Sequence, residues 1–291
     1  MAQGGFAMLV NLNEVLLPAK KGKYAVGLFN TVNLEMARGV IAAAEKLRSP
    51  VIIGTAEVLL PYGPLHELAD LLLPMACRAA VPIVLHYDHG LTFEQCMRAL
   101  KYGFTSIMYD CSTSAYEDNV RKVRELAEIA HAFGATVEAE LGHVGNNEGE
   151  GSSETPDPSA FYTEPAQARD FIERTHADAL AIAVGTAHGA YKLPPKLDFA
   201  RIEQIVAVIP ATPLVLHGGS GLSDDDFRKA IRCGISKVNI FTDINVAGAM
   251  GMQQGLAEGK RAVTDLVPYQ VEAIQAATEA KMTLFGSVGK G

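Results

Sequence analysis

Short apolar, β-branched runs alternate with amphipathic stretches from one end of this chain to the other. The runs fall at 24–30, 50–54, 82–88, 106–111, 136–142, 179–185, 213–218 and 237–242. Between them lie stretches of helical period, among them 34–46, 64–80, 93–102, 116–133, 166–174 and 224–233. Strands separated by helices pair in parallel, because each return across the sheet needs a crossover. Near-continuous apolar strands fit a sheet covered on both faces. Eight such units in 291 residues predict an α/β fold, a (β/α)8 TIM barrel, as one domain over 1–291 with a C-terminal helical extension. A doubly wound open sheet is the other arrangement this alternation allows.

The strands end in polar residues. Taken in order, their C-terminal ends carry Asn30, Asp88 with His89, Asp110, Glu140, His188 just beyond the sixth strand, His217, and Asn239 with Thr242. A barrel gathers all of these around one mouth, where such enzymes keep their active sites. The third strand, Ile83-Val-Leu-His-Tyr-Asp-His-Gly90, poses the sharpest problem. An aspartate buried without partners costs several kcal/mol or takes up a proton. A metal, a hydrogen-bond network or a substrate must supply the partner.

Three neutral imidazoles with an open position make a catalytic zinc site, and His89, His188 and His217 are the candidates. Asp110 and Glu140, on neighbouring strands, are placed to hold a second divalent or monovalent cation, or to orient the imidazoles. His86 reads as a packing or supporting residue, and His66, His131 and His176 receive no role. Cys77, Cys96, Cys111 and Cys233 form no C-x-x-C pair and read as reduced structural thiols. The long polar segment 143–162, with glycines at 142, 145, 149 and 151, reads as an active-site lid leaving the same barrel face.

Glycine-rich segments follow the last two strands. His217-Gly-Gly-Ser-Gly221 leads into a helix, and Asn239-Ile-Phe-Thr-Asp243 opens the next. Barrels commonly hold phosphate at these loops through backbone N–H groups and a helix N-terminus. Such dipoles would bind an anion despite a formal net charge of −8, which itself argues against nucleic acid and anionic membrane surfaces. The N-terminus lacks a signal-peptide pattern, and no apolar run approaches the roughly 18 residues of a membrane span. The expected location is the cytoplasm. A metal beside a phosphate site, carboxylates and a lid suits Lewis-acid activation of a phosphorylated ketone, which is aldol chemistry.

Tyr24-Ala-Val-Gly-Leu-Phe-Asn30, Leu85-His-Tyr-Asp-His-Gly90, Val137-Glu-Ala-Glu-Leu-Gly142, Gly185-Thr-Ala-His-Gly189, His217-Gly-Gly-Ser-Gly221 and Val238-Asn-Ile-Phe-Thr242 together resemble the class II fructose-bisphosphate and tagatose-bisphosphate aldolases. The motifs keep the family's order over roughly residues 24–285. The resemblance implies a zinc-dependent (β/α)8 aldolase that cleaves a ketose 1-phosphate or ketose bisphosphate to dihydroxyacetone phosphate and an aldehyde. It also implies a homodimer or homotetramer. By motif, His89, His188 and His217 match the zinc ligands, and Asp110 and Glu140 match positions able to hold a second metal. Asp88 matches the acid serving the aldehyde oxygen, and Glu148 the base that abstracts a proton. Asn239, a further catalytic candidate, lies in the last motif. Asn30, Gly189, Gly218, Gly219, Ser220, Asn239, Ile240, Phe241 and Thr242 are the candidates for holding the substrate and its phosphate.

The chain departs from the family's pattern at Ala56, where many relatives carry a serine, at Phe241, and at Ile244-Asn245, which lacks an arginine often found there. These changes are expected around the aldehyde half of the substrate. The competing readings are a metal-dependent hydrolase on the same barrel and a non-catalytic phosphosugar-binding protein. The first strand lacks the H-x-H pair frequent in hydrolase barrels, and a binding protein would need neither Asp88 nor Glu148.

Overall fold

Residues 8–146, 161–188 and 195–291 are described in a computed structural model. The barrel strands are β1 (Val26–Asn30), β2 (Val51–Ala56), β3 (Ile83–Gly90), β4 (Ser106–Tyr109), β5 (Thr136–Leu141), β6 (Ala179–Ile182), β7 (Leu214–Leu216) and β8 (Ile235–Ile240), and a two-residue strand, Leu9–Val10, pairs with the start of β3. Each barrel strand pairs in parallel with its sequence neighbour, and β8 returns to β1 through Val238↔Gly27 and Asn239↔Leu28. The closed parallel barrel that results is the TIM-barrel fold.

Strand alternation divides the side chains into two layers. The outward face packs against the surrounding helices in one large apolar cluster that includes Phe29, Ile53, Leu85, Val137 and Leu216. The inward face changes character along the barrel axis. At the N-terminal end it is apolar, with Val26, Leu28, Ile52, Val84, Ala179, Ala181 and Val215 in contact. Helix α1 (Leu12–Gly22) closes this end by burying Leu12, Val15, Leu16 and Ala19 in the same cluster. Each large aliphatic side chain buried there contributes roughly 1.5–3 kcal/mol. Asn11 caps α1 in a capping box with Glu14, and Leu12 N donates to Thr136 Oγ1 at the start of β5, 3.1 Å away. Toward the C-terminal end, the inward positions turn polar and form the mouth.

The remaining helices are α2 (Leu34–Leu47), α3 (Leu65–Arg78), α4 (Phe93–Lys101), α5 (Tyr116–Ala132), α6 (Pro165–Thr175), α7 (Phe199–Val208), α8 (Asp224–Cys233), α9 (Thr242–Ala257) and α10 (Val263–Phe285). Helix α10 is the C-terminal extension; Ile274 on it sits between Gly39 of α2 and Gly248 of α9. Two short strands beyond the barrel, Gly145–Asn146 and Ala187–His188, pair with each other through Asn146↔His188. Among the described residues, no helix is long and apolar enough to cross a membrane. All four cysteines are free.

Candidate active site

The inward positions near the mouth come as pairs two residues apart, as strand alternation demands: His86 and Asp88, Glu138 and Glu140, Lys237 and Asn239. His86, Glu138, His217 and Lys237 are fully buried, and Asp88 is 1% exposed. Each has a partner that makes its burial tolerable. Asn30 Nδ2 donates to Asp88 Oδ2 at 2.9 Å, and Asn239 Nδ2 donates to Asp88 Oδ1 at 3.1 Å. Lys237 Nζ donates to Asn239 Oδ1 at 2.7 Å and lies 2.7 Å from Glu138 Oε2. His86 Nδ1 meets Ser106 Oγ at 2.6 Å, and its Nε2 lies 3.6 Å from Asp88 Oδ1.

His217 bridges two carboxylates, with Nε2 at 2.8 Å from Glu138 Oε1 and Nδ1 at 2.9 Å from Glu140 Oε2. Glu140 is the nearer of the two to the strand end, so Nδ1 is the nitrogen on the mouth side. His89 Nδ1 meets Asp110 Oδ2 at 2.8 Å, and the His89 and His217 rings lie 4.5 Å apart. Ligand atoms of Asp88, His89 and His217 fall within 4.8 Å of one another, as do those of His89, Asp110 and Glu140.

These contacts set the charge states. Burial alone would raise the Asp88 carboxyl, but His89, His86 and Lys237 together hold it well below the usual carboxylate range. Burial likewise opposes ionisation of Glu138, and Lys237 with His217 overcomes it, bringing that carboxyl to about 2. Burial would make His217 neutral; its bonds to Glu138 and Glu140 instead raise it to about 10. The proton on His217 therefore compensates a pocket of carboxylates, the role a bound cation would take over. Imidazoles and carboxylates converging at the mouth form a donor set that fits a divalent metal.

The phosphate candidates divide in a way the sequence does not anticipate. Helix α8 is already capped: Ser223 Oγ accepts from Asp226 N, and Asp224, Asp225 and Asp226 fill its first turn. Its positive end is neutralised from within the chain. Helix α9 begins at Thr242 with Phe241 as its N-cap residue and no side-chain cap. The loop after β7 lies against β8, where a Cβ on Gly219 would meet Val238 Cγ1 at 2.9 Å and the Asn239 carbonyl oxygen at 3.0 Å. Gly219 thus lies against the end of β8, from which Ile240 and Thr242 lead into the uncapped start of α9.

One of the substitutions, Ile244, sits differently from expectation. Ile244 is fully buried in the layer between barrel and helices, and Phe241 packs against that same layer. Ala56 is 5% exposed and pairs in register with Asp88, so it does border the site. His188 is placed by its backbone alone, and its side chain lies outside the described structure. Glu148 and Gly189 lie outside the described residues, as does most of the 143–162 segment. Reading only strand ends passes over Glu138 and Lys237. Their signal is a charged residue in an apolar strand, two positions before another polar one.

A barrel with metal-ready donors, a buried ionised aspartate and an uncapped helix end at one mouth has the make-up of a metal-dependent TIM-barrel enzyme. A family profile described as "Fructose-bisphosphate aldolase class-II" matches residues 10–290. The fructose-bisphosphate aldolase of Thermus caldophilus is 38% identical over 309 aligned residues, covering 97% of this chain and 100% of its own. That of Geobacillus stearothermophilus is 39% identical, covering 97% of this chain and 98% of its own. The crystal structure of the YdjI aldolase from Escherichia coli K12 superposes with a TM-score of 0.86 at 34% identity, covering 97% of this chain and 99% of that one. The chain belongs to the class II fructose-bisphosphate aldolase family, and its chemistry is metal-dependent aldol cleavage of a ketose phosphate.

Proposed function

We propose that this enzyme is a zinc-dependent aldehyde-lyase that cleaves a ketose 1-phosphate to dihydroxyacetone phosphate and an aldehyde, and runs the reverse condensation. The observation that carries this reading is the clamped Asp88 carboxylate beside His89 and His217, all three within 4.8 Å of one another. His89, His188 and His217 hold the zinc. When bound, it supplies Lewis-acid polarisation of the ketose carbonyl. Asp110 fixes the His89 ring through its 2.8 Å bond, and with Glu140 borders a place for a second cation.

Asp88 exchanges a proton with the aldehyde oxygen; Asn30 and Asn239 hold its carboxylate in place for that transfer. Asn239 also faces the substrate from the end of β8. Glu148 removes the C3 proton of dihydroxyacetone phosphate in the condensation direction. Segment 143–162 acts as its lid and keeps water from the site. Gly189, Gly218, Gly219, Ser220 and residues Asn239 through Thr242 hold the phosphate. The working unit is a cytoplasmic homodimer or homotetramer in which 1–291 forms one catalytic domain.

The test incubates the protein with dihydroxyacetone phosphate and a panel of aldehydes, with and without metal. Chelator-stripped protein is expected to form no product, and added zinc to restore formation. Full activity of a metal-free sample would sink the reading. Glu148→Ala is expected to retain zinc while C3 proton exchange falls about a hundredfold or more.

A further inference from the structure

Among the described residues, four that bear side chains have a left-handed backbone: Lys23, Arg48, His89 and His176. Lys23, Arg48 and His176 are the C-caps of α1, α2 and α6, where this conformation ends a helix. His89 differs. It lies inside β3 with φ at 42°, where the register with β4 shifts between Tyr87 and Gly90. A residue with a Cβ avoids this region unless its surroundings impose it. The residue so imposed upon is a metal-ligand candidate, flanked by Asp88.

What imposes the turn is visible on both sides. Toward β4, Asp110 N donates to the Gly90 carbonyl at 2.8 Å. A Cβ on Gly90 would meet Cys96 Sγ at 2.6 Å and the Met108 carbonyl oxygen at 2.7 Å, so the turn cannot slide that way. On the other side one carboxylate does the holding. Glu57, the residue after β2, accepts at Oε2 from Tyr87 Oη (3.0 Å), Leu91 N (2.7 Å) and Thr92 N (3.1 Å). Its Oε1 accepts from Thr92 Oγ1 at 3.2 Å. The donors bracket Asp88 and His89 from before and after: Tyr87 lies on β3 and Leu91 and Thr92 follow it, whereas Glu57 follows β2. Charged acceptors make the stronger hydrogen bonds, and here one anion gathers several of them.

We propose that Glu57 is a positioning residue for the metal centre: it pins the 87–92 turn and so holds His89 at the angle that metal binding needs. The inference rests on the reading of His89 as a metal ligand. Supporting contacts around metal ligands commonly govern affinity by tenfold to a hundredfold, and Glu57 acts on the ligand's backbone where Asp110 acts on its ring.

The experiment measures zinc affinity by competition with a chelator, the visible spectrum of the cobalt-loaded enzyme, and thermal unfolding of the metal-free form. Glu57→Ala is expected to weaken zinc binding about tenfold or more and to alter the cobalt spectrum. Glu57→Gln keeps an acceptor oxygen for the Leu91 and Thr92 amides and is expected to recover most of that loss. Tyr87→Phe removes one of the four bonds and leaves those to Leu91 and Thr92, so it should weaken zinc binding clearly less than Glu57→Ala does. Should Glu57→Ala fail to fold, Glu57→Asp keeps the charge but withdraws the carboxylate by one methylene, and the same tenfold loss is expected. A folded Ala or Asp variant with wild-type affinity and spectrum overturns the proposal. A lower unfolding temperature with unchanged affinity overturns it too, since that marks a merely structural role. Wild-type protein that takes up no zinc overturns the metal-site reading and this inference with it, and that result appears before any variant is made.

Discussion

At the scale of single residues, Lys237 decides more than its position suggests. An ammonium only donates hydrogen bonds. Because Lys237 Nζ meets Asn239 Oδ1, the Asn239 amide must turn its Nδ2 toward Asp88, and its orientation is fixed by chemistry. The same ammonium, together with His217, offsets Glu138, a carboxylate with no exposure. Lys237→Met should therefore strand a buried charge and destabilise the protein by about 3–5 kcal/mol in denaturant unfolding. Adding Glu138→Gln should recover a good part of that loss. A single Lys237→Met variant as stable as wild type would show that Glu138 is compensated in some other way. The sequence displays this pair only indirectly. Asp88, His89, Asp110, Glu140, His217 and Asn239 announce themselves as the last polar residues of apolar strands. Glu138 and Lys237 sit one alternation deeper, where a charge counts against a strand until its partner across the barrel is known.

Among the elements, the strands are the legible part. Each is bounded by glycine, proline or polar residues, and all eight expected runs overlap the observed strands closely. Helix α1 is harder to read, since Pro18 stands inside it and looks like a break. Its signal is the capping box of Asn11 and Glu14, which precedes the apolar face that closes the barrel. Helices α9 and α10 are explained by close approach. Gly248, Gly251 and Gly255 recur along one face of α9, and each abuts α10. A Cβ on Gly251 would run into the carbonyl oxygen of Tyr269, which is backbone and cannot turn aside. A Cβ on Gly248 would meet Ile274 Cδ1 at 3.0 Å, Ile274 Cγ1 at 3.2 Å and Gln270 Cγ at 3.4 Å, all of them in flexible side chains. Gly251→Ala is thus expected to cost about 1–3 kcal/mol in thermal unfolding, and Gly248→Ala clearly less. Equal effects would mean that the two helices separate freely and that backbone contact does not set their spacing.

For the molecule as a whole, the question is how a chain of net charge −8 holds an anionic substrate. Its general field repels phosphate, so attraction must be local. Of the two helices that follow β7 and β8, α9 starts without a side-chain cap, while α8 spends its dipole on Ser223 and three aspartates. Lys237 is committed to Glu138, and Lys281 lies 2.6 Å from Asp243. The α9 end is therefore the expected seat for the phosphate of the ketose phosphate. At the other half of the site Ala56 presents a methyl group beside Asp88, without a hydroxyl to donate. Ile244 is in the core, so an arginine aligned there would not reach the mouth by a simple exchange, and Asn245 carries no charge. A dianionic tail wants guanidinium, hydroxyl or N–H donors, and desolvating it without them costs several kcal/mol. The enzyme is therefore expected to favour ketose 1-phosphates with unphosphorylated tails over fructose 1,6-bisphosphate. The measurement compares kcat/KM for cleavage of the two kinds of substrate. A tenfold or greater preference for the bisphosphate would mean that a second anion site exists, built from a partner subunit or from residues beyond those described.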